Sequence, residues 1–215
     1  MRFVTAVVVS LLSIGHAVAQ PVSPTESAFL EGTQLLHRAM AGESAAIDDA
    51  VTAFEALVKA EPDNPLYSAY LGSATGIKAL SAWTPWTKYK YAQQALGHAD
   101  HALQALKPEH DRVLVRGAPV GIETRIVVAR LFLRVPDSKF HRRADGKRLV
   151  AEVMNHPALA GSSPGLRATA HLAAADAAHE EQPEEEVAQL KQVLTLAPSS
   201  NAANEARDRL KALDK

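Results

Sequence analysis

From Pro24 onward apolar side chains recur three and four positions apart, and over no strand-length stretch do they alternate cleanly with polar ones. That spacing gathers the apolar residues on one side of a helix, which must then be buried against another helix. Proline, glycine and asparagine divide the pattern, and the divisions predict nine helices. The first covers residues 27–41 and stops at Gly42, the second covers 45–60 with Ser44 placed to cap it, and Pro62-Asp63-Asn64-Pro65 follows. The third, 66–82, ends at Thr84-Pro85 because proline disfavours helical geometry in the residue before it. The remaining six are expected at 86–106, 119 or 120 to 133, 139–154, 164–179, 184–196 and 202–213. The expected fold class is all-α, built of antiparallel helical hairpins, with no room for a sheet.

Helix pairs at a fixed period mean a solenoid, so internal repetition matters next. Ala50-x3-Phe54 leads on to Pro62, and Leu190, Val193 and Pro198 repeat the spacing of Phe54, Leu57 and Pro62 near the C-terminus. Leu71-Gly72 lies on the third helix, where glycine lets a neighbouring helix approach closely. These segments resemble degenerate tetratricopeptide units, which pair two helices over 34 residues. The middle, 83–157, departs from that period and keeps only the helical-hairpin character. The longer string AYLGSATGIKALSAWTPWTKYKYAQQAL at 69–96, with VLVRGAP at 113–119, is similar to a family of uncharacterised exported bacterial tetratricopeptide-like proteins. That resemblance covers about half of the chain after its leader. It implies a short tetratricopeptide-like superhelix and carries over no activity and no catalytic residue.

Residues 1–20 read MRFVTAVVVSLLSIGHAVAQ: one cation at Arg2, an apolar run from Phe3 to Ile14, then Ala17-Val18-Ala19. That order predicts a secretory signal peptide over 1–19, cleaved after Ala19, with 20–215 as a single tetratricopeptide-like domain. The apolar run is shorter than the roughly 20 residues that span a bilayer. The expected location is therefore the periplasm, reached across the inner membrane, with no stable membrane insertion after cleavage. The chain has no cysteine, which excludes disulfides, thiolate metal sites and a cysteine nucleophile. With aromatic residues at only 5%, alanine at close helix contacts must supply much of the packing.

A formal net charge of −1 hides a segregated distribution. Residues 20–63 carry a net of −6, residues 64–148 a net of +8 and residues 149–215 a net of −4, and 64–99 contain no acid. Both tryptophans and all four tyrosines fall between positions 67 and 91. A structural reading has Trp83 and Trp86 clamping the turn at Pro85 while the tyrosines fill gaps in an alanine-rich core. The functional reading has Tyr67, Tyr70, Trp83, Trp86 and Tyr89 lining a concave face with Lys78, Lys88 and Lys90 beside them, a surface suited to a peptide, an acidic segment or an anionic glycan. Nucleic acid is disfavoured by the expected export and by the slightly negative total charge. The second basic run, Lys139, His141, Arg142, Arg143, Lys147 and Arg148, is expected to be a solvated helix face answering the acidic ends of the same molecule. Glu180, Glu181 and Glu184 to Glu186 read as helix capping and solubility.

Motifs of chemistry are sparse. His98 and His101 lie three apart, with His110 and Asp111 beyond, but HExxH, calcium-loop, GxSxG and phosphate-cradling glycine patterns are absent. Paired carboxylates fall only in charge runs without apolar surroundings to raise a pKa. No cofactor, metal site or catalytic residue is assigned. The expected function is a scaffold or adaptor binding a protein or peptide partner non-covalently. The alternative is a binding module for a small anionic or carbohydrate ligand using the Tyr/Trp/Lys region, and a metal-dependent hydrolase built on the histidines is the weakest reading.

Overall fold

The computed structural model describes residues 23–214; the expected signal segment and its cleavage site lie outside the described residues. The chain is all-α. Eleven helices occur among the described residues: α1 (Pro24–Met40), α2 (Ala45–Ala60), α3 (Pro65–Ser81), α4 (Pro85–Ala105), α5 (Val120–Arg134), α6 (Asp137–Phe140), α7 (Arg143–Met154), α8 (Pro157–Ala160), α9 (Pro164–Ala178), α10 (Pro183–Leu196) and α11 (Asn201–Leu213). The nine long ones are those the apolar spacing predicts. The two additional helices have four residues each, too short to leave a periodic signature.

Prolines read as stops also act as starts. Pro24, Pro65, Pro85, Pro164 and Pro183 begin α1, α3, α4, α9 and α10, where a missing N–H costs no hydrogen bond. The residue ahead of four of these, Ser23, Asn64, Thr84 or Ser163, accepts from a first-turn amide, as does Ser200 at α11. Ser44, expected to cap α2, lies in helical geometry and makes no such bond. Gly42 ends α1 as expected: at φ 97° it adopts the left-handed turn that lets the amides of Gly42 and Glu43 reach the carbonyls of Ala39 and Arg38.

Two expectations need correction. The helix predicted over 139–154 is broken at His141, whose φ of 53° ends α6, and Asp137 Oδ1 accepts from the Arg143 amide across the break at 2.9 Å. The expectation that there is no room for a sheet also fails, by one small strand pair in the segment before α5. A 3-10 turn (Pro108–Asp111) is followed by an antiparallel pair of two-residue strands, β1 (Leu114–Val115) and β2 (Ala118–Pro119), in which Leu114 faces Pro119. Arg116 and Gly117 close it with positive φ at both positions, the geometry a two-residue hairpin loop requires.

Helices adjacent in sequence pack on one another from α1 to α4 and from α9 to α11, while α5 lies at the centre against α3, α4, α7 and α9. Ile122, Ile126, Val128, Ala129 and Phe132 of α5 are sealed from solvent within that central core. A second core joins Phe29, Phe54, Leu66, Tyr67 and Leu71, and a third joins Leu172, Leu190, Val193, Ala203 and Ala206. Close contact through small residues is most evident at Gly72, where an added Cβ would stand 2.9 Å from the carbonyl oxygen of Ala95 on α4.

Candidate functional site

The short connection between α3 and α4, Ala82-Trp83-Thr84, carries the most exposed aromatic surface among the described residues. Thr84 is extended ahead of Pro85, and its Oγ accepts from the Thr87 amide at 3.3 Å, fixing the start of α4. Trp83, between the two helices, is 99% exposed, and Trp86, in the first turn of α4, is 74% exposed. Leu80, in the last turn of α3, is 76% exposed. Lys88 and Lys90 are also exposed. Tyr89 is half-covered: its ring stacks on Phe140 of α6 with centroids 5.3 Å apart, and its hydroxyl accepts from Gln93 Nε2 at 3.1 Å.

The other candidates lie elsewhere, and the concave aromatic face drawn from sequence does not form. Tyr67 is only 3% exposed and packs on Phe29 with ring centroids 5.3 Å apart. Tyr70 stacks on Phe54 at 5.4 Å, meets the edge of Phe29 at 5.0 Å and donates from its hydroxyl to Glu123 Oε1 at 2.6 Å. Burial, with Glu61 and Glu26 nearby, pushes the Tyr67 hydroxyl up to about 12. Burial and the Glu123 carboxylate raise Tyr70 well above the ordinary tyrosine value. Both are core residues of the α1–α3 layer. Lys78 binds Asp48 of α2 at 2.6 Å and sits over the Tyr91 ring at 5.1 Å. Trp83, Trp86, Lys88, Tyr89 and Lys90 lie in the α3–α4 connection and the first two turns of α4, and Trp83 does not clamp the Pro85 turn.

Sequence reasoning missed the buried charges. Glu123, Asp176 and Glu186 are all buried. Glu123 Oε1 also accepts from Arg116 Nη2 at 2.6 Å, and the Arg116 guanidinium lies 4.5 Å from the Phe29 ring centroid, tying the β-hairpin to α1, α3 and α5. Glu123 Oε2 is buried without a hydrogen-bond partner among the described residues. At the other end, Asp176 of α9 accepts from Arg130 Nε of α5 at 2.9 Å and from Arg209 of α11, with Arg134 Nε at 3.4 Å. Arg130 also binds Glu205 at 2.7 Å, and Arg209 binds Glu186 at 2.6 Å. Burial by itself raises the carboxyls of Asp176, Glu186 and Glu205, but the arginines around them, joined at Glu186 by His179, outweigh it and hold all three below their ordinary values. Glu186, placed by sequence in a solubility cluster, is thus part of the α9–α10–α11 interface.

The second basic run is divided by the break at His141. Arg142 reaches Asp100 of α4 at 2.5 Å and lies 3.9 Å from the Phe132 ring centroid, while Lys147 reaches Glu181 at 2.5 Å. The histidines are dispersed: His101 Nδ1 meets Ser68 Oγ at 3.2 Å, and His110 Nδ1 accepts from the Lys107 amide at 3.0 Å. No group of three His, Asp or Glu side chains among the described residues is placed to hold a metal ion. Two grooves open elsewhere: one of about 500 Å³ between α1 and α2, flanked by Ala28, Leu35, Ala53 and Ala56, and one of about 400 Å³ beside Pro62 and His110. Neither includes a residue of the tip.

The fold therefore defines the class as an all-α helical-hairpin protein with an aromatic and cationic hairpin tip. No family model matches the chain, and neither curated proteins nor solved structures give a match.

Proposed function

We propose that this chain works by non-covalent docking, as an exported helical-hairpin scaffold or adaptor of tetratricopeptide-like build whose contact point is the α3–α4 tip. The observation that carries the reading is the 99% exposure of Trp83 in a chain that seals its phenylalanines at positions 29, 54 and 132 completely. An indole left in water forgoes the largest burial contribution available to any side chain, so its covering surface is supplied from outside the molecule. Trp86, Leu80 and two lysines extend that surface. The sequence expectation of a protein or peptide lying in a concave groove narrows accordingly. With Tyr67 and Tyr70 in the core the groove has no floor, and the remaining aromatics form a tip that enters its partner.

A non-catalytic role agrees with the buried ionisable groups, because Glu123, Asp176 and Glu186 are engaged by tyrosine or arginine in holding helices together. The small-ligand alternative finds less support, since the tip residues line neither groove. The test is site-specific photo-crosslinking in the producing cells, with a photoreactive phenylalanine at position 83 and, as a control, at Lys211 on exposed α11. An adduct formed from position 83 and absent from the control is expected. Equal labelling from both positions refutes docking through the tip.

A further inference from the structure

We propose that the surface the α3–α4 tip enters is the headgroup region of an anionic lipid bilayer, a reading that rests on the docking role of the tip. Three observations point to lipid rather than to a protein interface. The first is the polarity of what is offered. Leu80, Trp83 and Trp86 present apolar area, while the hydroxyls around them are engaged locally: Thr84 and Thr87 bond each other at 2.6 Å, and Ser81 Oγ donates to the Lys78 carbonyl at 3.0 Å. A specific protein interface uses about one hydrogen bond per 100–200 Å² and a polar rim to set its register. A tip of apolar area, indole N–H donors and cations, with its hydroxyls already engaged, suits the environment of lipid headgroups, where tryptophan concentrates.

The second observation is charge. Most bases of the central block are answered by acids of this molecule: Lys78 by Asp48, Arg116 by Glu123, Arg125 by Asp111, Arg142 by Asp100 and Lys147 by Glu181. Lys88 and Lys90 enter no ion pair among the described residues, and the sequence around them has no acid from 64 to 99. Asp137, on the helix whose Phe140 stacks on Tyr89, is turned to the Arg143 amide. Lysine stems can lie along apolar material while their ammonium groups reach phosphate oxygens, which is the complement an anionic headgroup layer provides.

The third is orientation and depth. No helix among the described residues is long and apolar enough to cross a membrane, so the contact is peripheral. The segments on either side, 20–63 at a net of −6 and 149–215 at a net of −4, are repelled by the same anionic surface that attracts the tip. The charge distribution therefore turns the tip toward the bilayer.

Trp83 and Trp86 are the only tryptophans in the chain, so tryptophan emission reports on the tip alone. The experiment mixes protein purified after export with phosphatidylcholine vesicles with or without phosphatidylglycerol, and follows flotation with the vesicles and tryptophan emission. Flotation and a blue-shifted emission are expected with phosphatidylglycerol vesicles and not with phosphatidylcholine alone. Losing a lysine near an anionic surface weakens partition roughly fivefold, so Lys88→Glu with Lys90→Glu should lower it more than tenfold while leaving the thermal transition in place. Lack of flotation, flotation with unshifted emission, or flotation indifferent to the lysine pair each overturns the lipid assignment. If vesicles fail but position 83 crosslinks to a protein in cells, docking stands with a protein as partner. If vesicles fail and no specific adduct forms, both readings fall.

Discussion

Replacing Asp176 with Asn tests whether the charge network at the C-terminal end holds α5, α9 and α11 together. Asp176 is 8% exposed, and three guanidinium groups converge on it: Arg130 Nε at 2.9 Å, Arg134 Nε at 3.4 Å, and Arg209. Asparagine keeps the shape, removes the charge and turns an amide N–H₂ toward donors. Removing one partner of a buried ion pair costs about 3–5 kcal/mol, because the remaining charge is left in a poorly solvated site. The lower end, about 3 kcal/mol, applies here. Glu205 still binds Arg130 and Arg134, Glu186 still binds Arg209, and Arg134 is partly solvated. For a chain of this size about 3 kcal/mol lowers Tm by roughly 6–12 °C. Urea unfolding followed by circular dichroism should show a lower midpoint at an unchanged slope, the mark of lost stability rather than a changed denatured state.

The same network fixes a pH signature. Asp176, Glu186 and Glu205 have folded pKa values held below those of the unfolded chain, so the unfolded state binds more protons in the interval between. Stability therefore rises with pH through that interval, is complete above the ordinary carboxyl range near about 4, and is lost as pH falls through the depressed values. Wild type and Asp176→Asn should differ most at neutral pH and converge in acid. A difference under about 1 kcal/mol at neutral pH, or one that does not shrink in acid, would refute this account of the interface.

Trp83→Ala should change stability by less than about 0.5 kcal/mol, since the side chain touches little of its own molecule, whereas Phe54→Ala should cost about 3–5 kcal/mol; paired thermal melts separate the two. Gly72→Ala should destabilise by about 1–3 kcal/mol, because its Cβ would press on the Ala95 carbonyl and push α3 from α4. Gly97→Ala on α4, with nothing within 4 Å of the added carbon, should stabilise by up to about 1 kcal/mol, and the two urea midpoints should move in opposite directions. If the chain is exported as proposed, mass spectrometry of the protein recovered from its producing cells should find Gln20 as the first residue; an intact Met1 would overturn the signal-peptide reading.

The helices were legible because apolar spacing and proline positions are local properties, and all nine long helices follow from them. What escaped was tertiary or too short to be periodic. His141 lies in a helical-looking run, and only the bond from the Arg143 amide to Asp137 shows why the chain turns there. The Arg116-Gly117 loop carries a hairpin signal in its glycine, but strands of two residues leave no alternation to read. Arg130 and Asp176 could have been suspected. Arg130 interrupts the run IVVARLFL, Asp176 interrupts AAADAA, and a lone charge inside an apolar stretch is rarely buried unless paired. Which acid meets which arginine, 46 residues apart, is a property of packing alone.

The aromatic cluster shows why position in sequence is a poor guide to a shared surface. Tyr67 and Tyr70 are in the first two turns of α3 and Trp83 is two residues past its end, so at 1.5 Å per residue they stand roughly 15–25 Å apart along one axis. The two tyrosines meet α1 and α2, whose Phe29 and Phe54 cover them; at the far end no element covers the indoles. Charge follows the same division. Lys78, one turn inside α3, reaches Asp48 of α2, while Lys88 and Lys90, beyond the turn on α4, are exposed and form no ion pair among the described residues. A basic, aromatic stretch that reads as one unit from 67 to 91 is thereby resolved into a core and a tip. The tip brings exposed indoles together with cations that form no ion pair among the described residues, and the docking reading rests on that separation.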